Sequence, residues 1–178
     1  ELETGAVRDL GIRGSQPRYV PTGHLVFGIA EQALMAVPFD PRRLEVTGEV
    51  FTVLPDVDMN FLGYVRFAVS DNGTALYALS RLGTLGGGEL VEVDLDGTQR
   101  PTRLARGVLT RPRYSPDGRY IALERDGEIW VYDRETGETE PFSEGPGLYP
   151  VWSSDGRHIY YVDGGIPGAD IVRRPADR

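Results

Sequence analysis

The stretch TRPRYSPDGRYIAL, Thr110–Leu123, decides the fold because its pattern recurs along the chain. It places an aromatic residue before Ser-Pro-Asp-Gly, and a basic residue and alternating side chains after the glycine. Asp-Gly accepts the positive φ of a tight turn, and the alternation that follows is typical of a strand. The stretch therefore predicts a hairpin between two strands.

Three further copies of this pattern occur in the chain. They are PRYVPTGHLVF around Gly23, VRFAVSDNGTALY around Gly73 and YPVWSSDGRHIYY around Gly156. With Gly118, the four glycines are 50, 45 and 38 residues apart, a spacing typical of four-stranded propeller blades.

Two positions repeat around these glycines. An apolar residue stands three residues after each glycine, which predicts that the second strand of every unit has one face fixed as the buried face. Six residues before three of the glycines stands a proline, which we expect at a strand start or on an edge because it cannot donate to a ladder. The apolar residues are Val26, Leu76, Ile121 and Ile159, and the prolines are Pro17, Pro112 and Pro150.

Third strands follow the hairpins, as ALMAVPFD, GELVEVD, GEIWVYD and ADIVRRP. The first three end at an aspartate, which precedes a turn and then a fourth, polar-apolar strand. Four short strands per repeated unit predict an all-β fold, a β-propeller of about four four-stranded blades. We expect one domain, 1–178, with blades at roughly 15–58, 63–107, 109–145, and 148–178 together with 1–12.

The two ends of the chain leave two arrangements open. LETGAVRDL at 2–10 matches RETGETEPF at 134–142, so the N-terminal strand is expected to complete the C-terminal blade. Either the ends meet in a closed four-bladed ring, or the chain is an arc of a larger propeller, completed by another segment or a second copy. An open arc would leave an unpaired strand edge that proteins usually cover. Because the chain begins at Glu1, we also expect a segment upstream of it.

Composition excludes several classes of function. The chain has 27 acidic and 19 basic residues and a net charge of -8, so binding to nucleic acid is not expected. The absence of cysteine excludes disulfides and thiolate metal sites. The longest apolar run, Ala33–Phe39, is too short to span a bilayer, so no transmembrane segment is predicted.

The blade signature resembles that of the TolB-like, WD-repeat-like β-propellers. Residues 114–119, Tyr-Ser-Pro-Asp-Gly-Arg, match it fully, and residues 152–157 match with Ser154 in place of proline. The segments PRYVPTGHLVF and LMAVPFDPRRLEVTGE are also similar to segments of the propellers attached to bacterial serine/threonine kinases. Those propellers typically lie on the other side of a membrane segment from the kinase. This resemblance implies an architecture and is silent on activity.

The sequence offers few groups for catalysis or metal binding. His24 and His158 are the only histidines, and both are interpreted as surface residues just after a hairpin turn. The pairs Asp94 with Asp96 and Asp56 with Asp58 are interpreted as turn carboxylates, because neither spacing matches a loop that supplies six converging oxygens. We therefore predict no catalytic residue, no cofactor and no metal.

Two loops carry apolar residues that nothing obliges to lie in a core. They are residues 55–64 and 81–88, and their apolar groups are candidate contacts with a partner. The alternative is that these side chains fold back over the edge of a blade. The candidate partner-binding residues are Met59, Phe61, Leu62, Tyr64, Leu82 and Leu85.

Repeats without catalytic groups favour a non-enzymatic protein-binding scaffold. We expect other protein subunits as partners, in a membrane-extrinsic accessory subunit that stabilises a larger bacterial complex, for example a respiratory or photosynthetic one. The expected location is extracytoplasmic (periplasmic), at the membrane surface. Two alternatives remain open: a ligand-sensing propeller fragment of a receptor serine/threonine kinase, and the propeller of an enzyme whose catalytic part is missing.

Overall fold

The structure is a computed structural model that describes residues 5, 7–57, 65, 67–78, 90–94, 97–104, 109–164 and 169–177. These residues form fifteen strands and no helix. Accordingly, the described ranges hold no helix of the length and apolarity that crossing a bilayer requires. All the strand pairs are antiparallel, as hairpin connections dictate.

The strands fall into four consecutive groups, which we call blades 1 to 4. Blade 1 contains β1 (Ser15–Val20), β2 (His24–Ile29), β3 (Ala33–Asp40), β4 (Glu45–Val46) and β5 (Phe51–Leu54). Blade 2 contains β6 (Phe67–Val69), β7 (Ala75–Ala78), β8 (Leu90–Val93) and β9 (Gln99–Pro101). Blade 3 contains β10 (Leu109–Tyr114), β11 (Tyr120–Arg125), β12 (Glu128–Asp133) and the first part of β13 (Thr139–Trp152). Blade 4 contains the rest of β13, β14 (His158–Asp163) and β15 (Asp170–Pro175).

Three apolar clusters hold neighbouring blades together face to face. The first joins Val26 and Leu34 of blade 1 to Phe67 of blade 2. The second joins blades 2 and 3, and the third joins blades 3 and 4. Stacking by burial between successive four-stranded sheets is the arrangement of a propeller. The predicted all-β propeller fold is therefore confirmed, while the domain and blade boundaries given above stay predictions.

The recurring prolines lie within first strands, and β1 and β10 are the edge strands of their sheets, where proline was expected. In each case the residue before the proline has a positive φ: 53° at Gln16, 50° at Arg111 and 57° at Tyr149. The pairing register with the second strand shifts at the same three places. These are β-bulges, which relieve the ladder where proline has no N–H to give.

The four residues that follow the turn glycines by three do not share a face. The Ser70 N–H bonds to the Thr74 carbonyl, whereas the Ser115 N–H bonds to the Tyr120 carbonyl, so the hairpin of blade 2 is one residue shorter. A slip of one residue turns a strand over. Consequently Leu76 packs towards the following blade, while Ile121 packs towards the preceding one. The prediction of one common face was wrong for this reason.

Residues 7–12 do not pair with the last blade in this structure. Residues 7–12 form no strand, and Arg8 instead donates to Glu45 of β4 at 3.1 Å. Within the described ranges, β15 pairs as a strand with β14 alone. The described residues thus fit the arc, the second of the two predicted arrangements, and among them no strand lies beside β15 on its outer side.

A candidate functional site: the groove between blades 3 and 4

The Ser-x-Asp-Gly turns build one wall of the candidate site. Ser115 Oγ donates to an oxygen of Asp117, and that oxygen also accepts from the Arg119 N–H at 3.1 Å. The Gly118 N–H closes the turn on the Ser115 carbonyl at 2.8 Å. The hydroxyl of Ser115 favours the charged carboxylate and lowers the pKa of Asp117. The turn is therefore a small, internally bonded unit that presents a carboxylate.

The same unit recurs in blade 4. Ser153 Oγ donates to Asp155, which accepts from the Arg157 N–H at 3.0 Å, and the Ser153 hydroxyl lowers the pKa of Asp155. Blade 2 repeats it with an amide, because Asn72 accepts from Ser70 and from the Thr74 N–H. The polar residues of the repeated pattern thus shape turns, as the sequence predicted.

Asp133, at the end of β12, likewise uses its carboxylate to hold the turn that follows it. One of its oxygens accepts from the Glu135 and Thr136 N–H groups, the first at 2.8 Å. Its other oxygen pairs with Arg119 at 2.8 Å, and this hydrogen bond lowers the pKa of Asp133. The carboxylate is therefore charged and held in place beside the Asp-Gly turn.

Aromatic residues at the ends of first strands join neighbouring blades. The indole Nε1 of Trp152 donates to the carbonyl of Arg113 at 3.0 Å, and its ring stacks on Tyr120 with centroids 6.3 Å apart. The hydroxyl of Tyr114 donates to Glu92 of blade 2 at 3.2 Å, and Arg134 pairs with the same carboxylate. Burial, with Glu92 nearby, raises the pKa of Tyr114. Tyr114 therefore joins blade 3 to blade 2, and Trp152 joins blade 4 to blade 3.

A second polar cluster between blades 3 and 4 is structural. Glu124 of β11 is buried and accepts from Thr110 Oγ1 at 2.8 Å and from the Tyr149 N–H at 2.6 Å. Arg111 pairs with the same carboxylate and lies over the Tyr149 ring, 4.2 Å from its centroid. A buried carboxylate requires such partners, and here it binds together two of the proline bulges. Its bonds are therefore already taken up in joining blades.

The candidate site itself is a groove of about 920 Å³ between blades 3 and 4, on the side of the Asp-Gly turns. Its apolar wall is formed by the stacked Tyr120 and Trp152 with Val131 and Ile159. Two cationic or titratable groups also reach it, Arg157 and His158. Its carboxylates are Asp117, Asp133, Glu138, Glu140, Asp155 and Asp177.

This combination of side chains is suited to a cationic group. Tyrosine and tryptophan faces attract cations, and carboxylates form charge-assisted hydrogen bonds with guanidinium and ammonium groups. Glu138 and Asp177 are exposed at the groove, so their charges are available to a ligand. Among the described residues, no group of three or more histidine, aspartate or glutamate side chains is arranged to hold a metal ion.

The structure describes some of the residues singled out in the sequence and not others. Met59, Phe61, Leu62, Tyr64, Leu82 and Leu85 all lie outside the described residues, so their role stays a prediction. His158 contributes to the groove, and its N–H bonds to Ser153 Oγ at 3.0 Å. His24 lies in blade 1, with its Nδ1 3.2 Å from Thr22 Oγ1. Sequence reasoning missed the groove, because it is made by two repeats meeting and neither repeat shows it alone.

The fold is that of a β-propeller, and it is similar to the propellers of TolB proteins. The chain matches the fold of TolB from Acinetobacter baumannii, with TM-score 0.64 and 19% identity, over 90% of this chain and 40% of that one. A TolB of Agrobacterium tumefaciens matches with TM-score 0.66 and 20% identity, over 89% and 57%. Porphyromonas gingivalis dipeptidyl peptidase 4 matches with TM-score 0.53 and 14% identity, over 92% of this chain and 29% of that one.

Similarity in sequence points to the same class of fold. Coronin-7 of Bos taurus is 29% identical in an alignment of 155 residues that covers 74% of this chain and 17% of that protein. Coronin-7 of Mus musculus is also 29% identical in an alignment of 155 residues, which covers 78% of this chain and 16% of that protein. The chain thus spans less than a fifth of these relatives. No protein-family model matches it.

Proposed function

We propose that this chain is a non-enzymatic scaffold that binds a partner protein through a cationic segment seated in the groove between blades 3 and 4. The observation that supports the proposal is the stacked Tyr120 and Trp152 wall beside exposed Glu138 and Asp177. Rigid walls reduce the ordering cost of binding, and both walls here are fixed by turn and inter-blade hydrogen bonds.

We further propose that the partner belongs to a larger bacterial complex at a membrane, and that this chain is an accessory subunit on its extracytoplasmic side. Support comes from the blade signature, which resembles TolB-like propellers, and from an acidic surface suited to basic partner segments. The receptor-kinase and enzyme alternatives remain predictions from the sequence.

Charge reversal at the groove tests the proposed binding site. We expect Glu138→Arg with Asp177→Arg to raise the Kd for a fluorescent Arg-rich peptide at least about tenfold, because like charges then face each other across the groove. Fluorescence anisotropy measures the affinity, and a Glu-rich peptide of equal length should not bind.

The matched control is Glu31→Arg with Glu49→Arg, two exposed acidic residues of blade 1 outside the groove. It changes the net charge by the same amount and should leave the affinity within about twofold, since exposed charges beyond a Debye length are largely screened at physiological salt. Equal weakening by both double variants would attribute binding to net charge and would reject the groove.

A further inference from the structure

The first strands of the blades form what we call the inner edge of the propeller. They are β1, β6, β10 and the last part of β13, and β1, β6 and β10 are edge strands of their sheets. β10 contacts β6 of blade 2 and also β13, so the first strands of neighbouring blades converge. Because propeller blades surround a central channel, the inner edge is the part of the described chain that faces such a channel.

Three arginines stand on the inner edge. Arg18 of blade 1 and Arg113 of blade 3 occupy the same place in their strands, since each follows the proline of a β-bulge where regular pairing with the second strand resumes. Arg111 lies at the bulge of blade 3 itself, with a φ of 50°. Bulges re-aim side chains and are frequent beside functional sites. The repeated bulge therefore brings these arginines to one edge of the molecule.

The three guanidinium groups lie close enough to repel one another. Burial lowers the pKa of Arg113, and the charges of Arg18 and Arg111 lower it further, whereas Glu124 acts in the opposite direction. Glu124 is the buried carboxylate described above, and its oxygens are already taken by Arg111 and by donors of blades 3 and 4. Among the residues that the structure describes, no carboxylate forms an ion pair with Arg18 or Arg113.

The inner edge thus has an excess of positive charge in an acidic protein. Three arginines face one glutamate there, although the chain as a whole has a net charge of -8. Like charges held together in a partly buried place are costly unless an opposite charge joins them. Guanidinium groups offer forked N–H donors that match the oxygens of carboxylates and phosphates. The exposed Tyr149 adds a hydroxyl 3.4 Å from a nitrogen of Arg111.

We propose that Arg18, Arg113 and Arg111 form an oxyanion-binding site on the inner edge of the propeller. The ligand that fits this site carries two or more negative charges on oxygen, as a phosphate group or a polycarboxylate does, because one buried carboxylate leaves two arginines without a partner. The site is separate from the groove between blades 3 and 4, which is suited to the opposite charge.

Isothermal titration calorimetry with three anions tests the site. We expect the chain to bind inorganic phosphate or citrate, and acetate at equal ionic strength at least about tenfold more weakly, because it brings a single charge. The tighter of the first two identifies the group that the site takes. Binding of neither phosphate nor citrate would overturn the proposal, as would acetate binding of equal strength.

Charge removal assigns the binding to the inner edge. We expect Arg18→Gln with Arg113→Gln to raise the Kd of the bound anion at least about tenfold, because two charge-assisted hydrogen-bonding groups are lost. The matched control is Arg42→Gln with Arg173→Gln, two exposed arginines on or after third strands. It changes the net charge equally and should leave the Kd within about twofold. Equal weakening by both double variants would reject the site.

Thermal unfolding gives a second readout that does not depend on calorimetry. Saturation with the bound anion should raise the Tm of the wild type above its value in chloride at equal ionic strength, because the ligand binds the folded chain. That rise should persist in the control and be lost in Arg18→Gln with Arg113→Gln. Should this double variant fail to fold by circular dichroism, Arg18→Gln alone decides, since Arg18 is exposed. It should raise the Kd at least about threefold, and an unchanged Kd would contradict the proposal.

Discussion

Blades 3 and 4 display the same register positions to the next blade and differ in whether anything covers them. Ala122 and Ile129 on blade 3 are wholly buried, and Tyr160 and Ile171, which take their register places on blade 4, are not. The second and third strands of both blades pair without interruption from one turn to the next. The regularity of a blade is therefore set by its own hairpins, while its hydrophobic stabilisation comes from the neighbouring blade.

The largest effect that this comparison predicts is the cost of removing the paired isoleucines. Ile129→Ala should lower the free energy of unfolding by about 2–5 kcal/mol, because it leaves a cavity against a rigid neighbour. Ile171→Ala should lower it by less than about 0.5 kcal/mol. Urea unfolding followed by tryptophan fluorescence measures both. Equal losses would show that the open face is packed.

Exchanging the other pair sharpens the comparison with a smaller expected effect. Ala122→Tyr should cost about 1–3 kcal/mol, because the closed interface has no room for the larger ring. Tyr160→Ala should cost less than the reverse exchange, because the ring that it removes is partly solvated. The same urea titrations apply. A tolerated Ala122→Tyr would contradict the tight packing described between blades 3 and 4.

The smallest effect concerns acid and should not distinguish the two blades. The pKa of Asp117 is lowered on folding, so its charged form adds stability above the unfolded value near pH 3.9, and this is lost as pH falls through the lower folded value. Asp117→Asn should flatten the fall in stability below about pH 4, at a cost of no more than about 1 kcal/mol near neutral pH once solvent exposure is taken into account. Thermal unfolding from pH 2 to 6 measures it.

Asp155→Asn is the matched variant on the uncovered blade, because the pKa of Asp155 is lowered for the same reason. Asn72 already fills this place in blade 2, which shows that an amide can hold the turn. A much steeper acid dependence for one blade than for the other would mean that the cover matters to the turns as well.

Local chemistry made most of the fold predictable from the sequence. Asp-Gly turns fix hairpins over a few residues, and the third strands ending at Asp40 and Asp133 appear in the structure as predicted. The prediction of a common buried face failed because it depended on hairpin length to within one residue. The shorter hairpin of blade 2 turned Leu76 towards blade 3, and no feature of the glycine pattern announces that difference.

The groove could not be predicted from the sequence for a different reason. Its carboxylates Asp117 and Asp155 were recognised as turn residues, each within its own repeat. What makes them part of one surface is the stacking of Trp152 on Tyr120 across two repeats, 6.3 Å between centroids. Contacts of this kind depend on the angle between blades, which residue spacing does not encode.

The fourteen-residue strand β13 belongs to two sheets at once, because its first part pairs with β12 and its last part with β14. Tension applied to one sheet passes along this shared backbone to the other without crossing a loop. We therefore expect blades 3 and 4 to unfold as one cooperative unit. Amide protons in both blades should then show similar protection from hydrogen exchange. A cationic segment bound in the groove would then stabilise both blades, because they share the strand β13.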